Sequence, residues 1–252
     1  MEIGAKIVRV ESCPSTNDLA KDLALSGETE GTVVISEEQT QGKGTKGRSW
    51  FSARRKGLYL SVILTPPSPK ISLLPLVAGL AVSDAIFSSV GIRTSLKWPN
   101  DLVWEGKKLG GLLCESGYLG NRVNYVILGL GLNVNHGKDD FPEEIRQQAV
   151  SLKLITKEQT DEKALLENLW QALNHWYGQF LQGKKEGIIS AFQEKSAFPL
   201  GSEVTLTVNG EEISGIYKGI DPQGGLVLER GGEERAFFSA EIKAIKDSQK
   251  ER

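Results

Sequence analysis

TSLKWPNDLVWEGKKLGGLLCESG, residues 94–117, is soon followed by NYVILGLGLNVN, residues 124–135. The apolar runs in the first stretch are too short for helices, and Pro99-Asn100 between them turns the chain sharply. Glu105-Gly106 reads as the tip of a hairpin that returns through KKLGGLLCESG. NYVILGLGLNVN is apolar enough for the centre of a sheet, yet Gly129 and Gly131 break it. Glycine inside a strand marks close approach by a ligand or another backbone.

Other elements gather around this core. TVVISEE at 32–38 and GLYLSVIL at 57–64 have strand composition, and the glycine-rich QTQGKGTKGRSW at 39–50 joins them. PSTNDLAKDLALSG places Leu19 and Leu23 one turn apart, with Ser or Thr to cap the start and Gly27 at the end, so it predicts a short amphipathic helix. Helical spacing also runs from Ser72 to about Val90, with Pro75 tolerable in the first turn, and from Asp161 to Gln182. Beyond Pro199 short strands alternate with Asn-Gly, Asp-Pro and Gly-Gly turns. The expected fold is α+β: a mixed sheet flanked by helices over residues 1–197, and a small β domain over 198–252.

Composition narrows the function. The 252 residues are 39% hydrophobic and 25% charged, and 30 Lys and Arg against 32 Asp and Glu give a net charge of -2. No global positive field exists to collect nucleic acid. Cys13 and Cys114 form neither a disulfide framework nor a metal-spaced pair, the N-terminus lacks a signal core, and the longest apolar run, Leu73–Val82, is too short to span a bilayer. A cytoplasmic protein without a membrane partner is expected. His136 and His175 have no companion ligands, and a surface or capping role is expected of both.

Against that neutral background the loop 39–50 stands out. Its glycines let backbone N–H groups approach an anion, and Lys43, Lys46 and Arg48 supply charge for carboxylate or phosphate oxygens. It is neither GxxxxGK[ST] nor a GxGxxG that opens a helix. Lys97, Asn100, Asp101 and Lys108 add two cations, an amide and a carboxylate, while Asn133 follows the glycine pair. Such a set can hold a triphosphate and its Mg²⁺. Each motif alone reads as a solvated turn or connector; the order in which they occur together carries the chemistry.

Pro14-Ser15-Thr16-Asn17, QTQGKGTKGRSW, KWPNDLVWEGKKLGG and GLGLNVN, in this order, resemble the biotin protein ligases. The resemblance implies a catalytic domain like that of class II aminoacyl-tRNA synthetases, with an SH3-like β-barrel at 198–252. It implies ATP and biotin as substrates with Mg²⁺, formation of biotinyl-5′-AMP, and transfer of biotin to a lysine of a biotin carboxyl carrier domain of acetyl-CoA carboxylase or a related enzyme. By the same match Lys108, Arg48, Lys43 and Asp101 are catalytic, with Asp101 holding Arg48 or the metal. Ser15, Thr16 and Gln39 bind the ureido head, Asn17 positions them, and Gly42 and Gly44 with Lys43 and Lys108 complete the biotin site. Gly111, Gly129 and Gly131 let the tail lie against backbone. Lys46, Trp50, Lys97, Asn100 and Asn133 join Lys43, Arg48 and Lys108 around ATP.

The loop departs from the family's usual GRGRxGR: Lys43 and Thr45 stand where arginines are usual, removing two guanidinium forks. Weaker retention of the adenylate is expected. The Ser-Thr-Asn segment begins at residue 15, so an enzyme without the DNA-binding domain of some relatives is expected. Sheet-edge pairing into a homodimer stays open. Two alternatives remain, a lipoate-type ligase and a non-catalytic biotin- or nucleotide-binding module.

Overall fold

The computed structural model describes residues 2–67 and 71–246; residues 1 and 68–70 of the first expected domain and 247–252 of the second lie outside it. The chain opens with β1 (Ile7–Val10), α1 (Thr16–Leu25), β2 (Val33–Ser36) and β3 (Gly57–Leu64). Next come α2 (Leu74–Val90), β4 (Ser95–Lys97), β5 (Asp101–Trp104), β6 (Lys107–Leu119) and β7 (Arg122–Asn133). These strands form a mixed seven-stranded sheet in the order β1-β2-β3-β7-β6-β5-β4, parallel at β1–β2 and antiparallel elsewhere. NYVILGLGLNVN therefore lies at its centre. Glu105 and Gly106, with φ of 47° and 76°, take the two left-handed positions of the β5–β6 turn.

Alternation along the strands separates two cores. Val33, Ile35, Val62, Leu64, Val126 and Leu128 face the main core under α2, whereas Val34, Ile63, Tyr125 and Ile127 pack with Ala20, Leu19 and Leu23 of α1. Gly129 and Gly131, two and four residues beyond Ile127, continue the α1 face. Ser15 caps α1, its hydroxyl accepting from Asn17 N, so the helix N-terminus stands over that face.

The segment Ile71–Val90 is helical throughout and is long and apolar enough to cross a bilayer. This corrects the expectation from its shorter uninterrupted apolar run. Leu74, Leu76, Val77, Leu80, Ala81 and Ile86 are at most 1% exposed, so its apolar surface is committed to the core between the sheet and the long helix.

After β7 come two short helices, α3 (Glu143–Arg146) and α4 (Leu152–Thr156), then α5 (Glu162–Leu181), capped by Asp161, and α6 (Lys185–Glu194). β8 (Glu203–Val208), β9 (Glu211–Ile220), β10 (Leu226–Arg230), β11 (Glu233–Phe237) and β12 (Glu241–Lys246) form an antiparallel five-stranded sheet in the order β11-β10-β9-β8-β12. Register shifts at Val227/Leu228 and Ile242/Ala244 interrupt its ladders, as bulges that bend a sheet do. Among the described residues β11 and β12 remain its open ends, where a closed barrel would pair them. Val204, Leu206, Tyr217 and Leu226 share one hydrophobic cluster with Leu96, Phe192 and Phe198, so the main core continues across the expected boundary.

Candidate active site

On the α1 face of the sheet, Gly131 pairs with Gly111 across β7 and β6, and Gly129 pairs with Ser61 of β3 on one side and Leu113 on the other. Removing side chains here leaves a cavity of about 220 Å³ above the strands. Ser15, Thr16 and Gln39 line it together with Lys108 of β6 and Asn100 of the β4–β5 turn, and the loop 43–51 forms a wall. Four sequence segments thus meet in one place. The space over two glycines is already occupied by side chains: a Cβ at Gly129 would collide with Asn17, and one at Gly131 with Trp50. This alters the expectation that biotin's tail lies directly on them. Gly42 is a packing residue, since a Cβ there would meet the Trp50 carbonyl, and it is absent from the cavity lining.

The loop is a compact turn. Gly44 N donates to Arg48 O at 2.7 Å, Trp50 N to Gly42 O at 2.8 Å, and Lys46 takes φ of 57°. Two of its cations point apart. Lys43 bonds the Asp18 carboxylate of α1, which raises its pKa. Arg48 pairs with Glu241 of β12 at 3.2 Å, so of the two partners expected for Asp101, Arg48 or the metal, the first is engaged elsewhere. Asp101 instead holds Lys108 Nζ at 2.7 Å, and that ammonium stands 5.5 Å from the Trp50 ring centroid. The indole Nε1 of Trp50 is buried without a partner.

Lys108 is also gripped through its backbone. Its N–H donates to Gln148 O at 2.7 Å and its carbonyl accepts from Val150 N at 3.0 Å. The buried Asn133 amide donates to Val150 O at 3.1 Å and Lys108 O at 3.4 Å, so its donors serve the backbone although the residue borders the cavity. Phe141, Ile145, Gln148 and Ala149 of the same segment add a wall that the sequence reading missed. No periodic signal announces it, because α3 is only four residues long.

Lys46 and Lys97 do not reach this cavity. With Arg48, Asn100 and Asp101 they line an adjacent cleft of about 240 Å³, closed on its far side by Ser239, Ala240, Glu241 and Ile242. Asn100 borders both spaces and ties the turn to β6, its Nδ2 donating to Leu112 O at 2.7 Å. The anionic residues of the cleft are Asp101 and Glu241, each on a cation, and among the described residues no three His, Cys, Asp or Glu side chains cluster as metal ligands.

His136 departs from its expected surface position. It is fully buried, stacked on Phe141 with centroids 4.7 Å apart, and its Nε2 lies 3.3 Å from the Tyr59 hydroxyl. Tyr59 donates its own proton to Ala53 O, so Nε2 carries the imidazole proton and Nδ1 is left without a partner. Burial pushes its pKa down to about 4.

The chain is similar to known proteins along most of its length. Residues 10–133 match the biotin/lipoate A/B protein ligase family, and residues 200–243 match the biotin protein ligase C terminal domain. The bifunctional ligase/repressor BirA of Bacillus subtilis (strain 168) is 34% identical over 245 residues, 95% of this chain and 74% of that protein. The biotin–acetyl-CoA-carboxylase ligase of Mycobacterium tuberculosis is 33% identical over 226 residues, covering 86% and 81%. A solved biotin protein ligase from Aquifex aeolicus, in complex with biotin and ATP, superposes with a TM-score of 0.82 at 30% identity, covering 97% of this chain and 100% of that one.

Proposed function

The chain belongs to the biotin/lipoate A/B protein ligase family, and from that premise we propose that it is a biotin protein ligase working in two steps. A carboxylate oxygen of biotin attacks the α-phosphorus of ATP, the bond to the β-phosphate bridging oxygen breaks, and pyrophosphate leaves. The amine of a carrier-domain lysine then attacks the acyl carbon, loses its proton, and AMP departs. The observation that carries this reading is the placement of Lys108. It lines the cavity of Ser15, Thr16 and Gln39, and its ammonium is held by Asp101, which lines the adjacent cleft with Lys46, Arg48 and Lys97.

Biotin occupies the cavity on the α1 face of the sheet with its ureido head at Ser15, Thr16 and Gln39, which brings its carboxylate toward Lys108. The nucleotide extends from Asn100 and the 141–149 wall toward the cationic cleft. Attack between two anions depends on fixed positive charge and alignment, and Lys108, Lys43 and Arg48 provide both. Asp101 keeps Lys108 in place, while Trp50 and the loop exclude water from a hydrolysable anhydride. Mg²⁺ neutralises phosphate charge when bound. Asp101 is the carboxylate of this site that would hold it beside the nucleotide phosphates. The acceptor is a biotin carboxyl carrier domain. Cys13 and Cys114 are free thiols, as suits a cytoplasmic enzyme.

The test is to mix protein, ATP, Mg²⁺ and an apo carrier domain with biotin or with lipoate, and to record intact masses. Addition of one biotinyl group to one lysine, with no lipoyl addition, is expected. Lipoyl addition alone would transfer the site to the other branch of the family, and no addition together with no pyrophosphate exchange would leave only a binding module.

A further inference from the structure

Where the glycine-rich loop meets the segment that follows β7, one imidazole is touched by four parts of the chain. The His136 ring stacks on Phe141 at 13° with centroids 4.7 Å apart, and Phe51 leans on the same imidazole at 51° with centroids 6.3 Å apart. Phe51 ends the loop and Phe141 opens the 141–149 wall, and both line the cavity. From the sheet, the Tyr59 hydroxyl of β3 lies 3.3 Å from Nε2, and the His136 carbonyl accepts from Ser151 Oγ, the cap of α4, at 2.6 Å. His136 itself is 0% exposed and absent from the cavity lining, so whatever it does for a ligand it does through its neighbours.

The backbone is folded so that this contact is made. Gly137 N donates to the Asp140 carboxylate at 2.7 Å and Asp140 N to Gly137 O at 3.2 Å, which closes a 3₁₀ turn at Lys138–Asp140 and returns Phe141 to the face of a ring only five positions earlier. Lys56 pairs with Asp140 at 3.1 Å, and its carbonyl accepts from Asn135 N at 2.6 Å, so the turn is tied to the start of β3 as well. Arg146 donates twice to Phe141 O, at 3.2 and 3.1 Å. The backbone of Phe141 is thereby held by Arg146, while its ring rests on His136.

We infer that His136 is a positioning residue for the nucleotide: by stacking on Phe141 and bracing Phe51 it sets the separation between the 141–149 wall and the loop, and so the width of the space a flat purine enters. A purine binds between such walls by stacking and apolar contact. Those contacts are short-ranged, and a radial gap of about 0.5–1 Å forfeits roughly a quarter to a half of each. Biotin, whose head is assigned to Ser15, Thr16 and Gln39, depends on that spacing far less. The inference rests on the biotin ligase reading and adds to it a residue behind the cavity wall that governs nucleotide affinity.

The test uses the full chain and biotin-dependent pyrophosphate exchange on His136→Leu, His136→Phe, Phe141→Leu and the His136→Leu/Phe141→Leu double variant, with the affinity for α,β-methylene-ATP at saturating biotin, measured by calorimetry, as a second readout. Leucine keeps the bulk and loses the ring; phenylalanine keeps the ring. The KM for ATP is expected to rise roughly 3- to 10-fold in His136→Leu, the span of one aromatic pair, with kcat and the KM for biotin within about twofold. His136→Phe is expected to recover most of that loss, and the double variant to fall short of the product of the two single losses, because both changes remove one contact. A merely structural role would lower the melting temperature of His136→Leu and leave its KM for ATP in place. That result, an equal rise in the KM for biotin, or fully multiplicative losses in the double variant would overturn the inference while leaving the ligase reading intact. If His136→Leu does not fold, His136→Gln takes its place with the same expectation. Absence of biotin-dependent exchange in the unaltered protein would overturn the ligase reading, and the calorimetric affinities of the same variants would then decide the inference by themselves.

Discussion

Lys108 is held at both ends, by Asp101 at its ammonium and by residues 148–150 along its backbone. Replacing it with Gln keeps the backbone grip and removes the charge. We expect adenylation, read as pyrophosphate exchange, to fall roughly 100- to 1,000-fold, the usual cost of deleting one preorganised electrostatic partner. The melting temperature should scarcely move, because partly exposed ion pairs add about 1 kcal/mol or less. His136 gives a prediction of opposite character. Its folded pKa of about 4 lies below the 6.5 of the unfolded chain, so the unfolded state binds the extra proton first. The stabilisation is complete above pH 6.5 and fades as pH falls toward 4, by on the order of 3 kcal/mol. Melting temperatures across that window should decline, and a His136→Gln variant should flatten the slope. At this scale the sequence was uneven to read. Ser15, Thr16 and Lys108 sit in recognisable runs, whereas His136 is a single residue whose significance comes from partners such as Tyr59, 77 positions away.

Among elements, legibility followed length and periodicity. The helices α1, α2 and α5 and the strands around NYVILGLGLNVN announce themselves through spacing, because each presents a whole face to one core. The four- and five-residue helices α3 and α4 complete too few turns to show a stripe, so the wall they carry against the cavity stayed hidden. The loop 39–50 was legible as an anion-binding connector but not in its pairings, since Asp18 and Glu241 lie 25 and 193 residues from their partners. Thr45 borders both cavity and cleft, in a position where an arginine could span them. A Thr45→Arg variant is expected to release biotinyl-5′-AMP about 10-fold more slowly, as one added charge-assisted hydrogen bond allows. Filter-retention of labelled adenylate would measure it, and release at the original rate would show that this loop needs no second guanidinium.

At the scale of the molecule, the sequence marked a compositional change near Pro199, whereas the packing runs straight through it. Trp98 Nε1, at the active-site turn, donates to Gly224 O at 3.0 Å, and Leu96 exchanges backbone hydrogen bonds with Lys195 O and Ala197 N. Phe198 and Tyr217 meet edge-on, with centroids 4.8 Å apart, inside the shared cluster. A sheet whose buried side chains belong to its neighbour's core has little reason to unfold separately. Calorimetry is therefore expected to show one cooperative transition with calorimetric and van't Hoff enthalpies equal. Trp98→Phe keeps the ring in the core but leaves the Gly224 carbonyl without its donor, at about 1 kcal/mol. That should lower the single midpoint by roughly 2–4 °C for a chain of this size. Two separated transitions, only one of them moved by Trp98→Phe, would instead make residues 198–252 an independent domain that docks on a finished catalytic core. The cleft holding Arg48 between Asn100 and Glu241 would then be a hinge between two bodies and not a fixed wall of one.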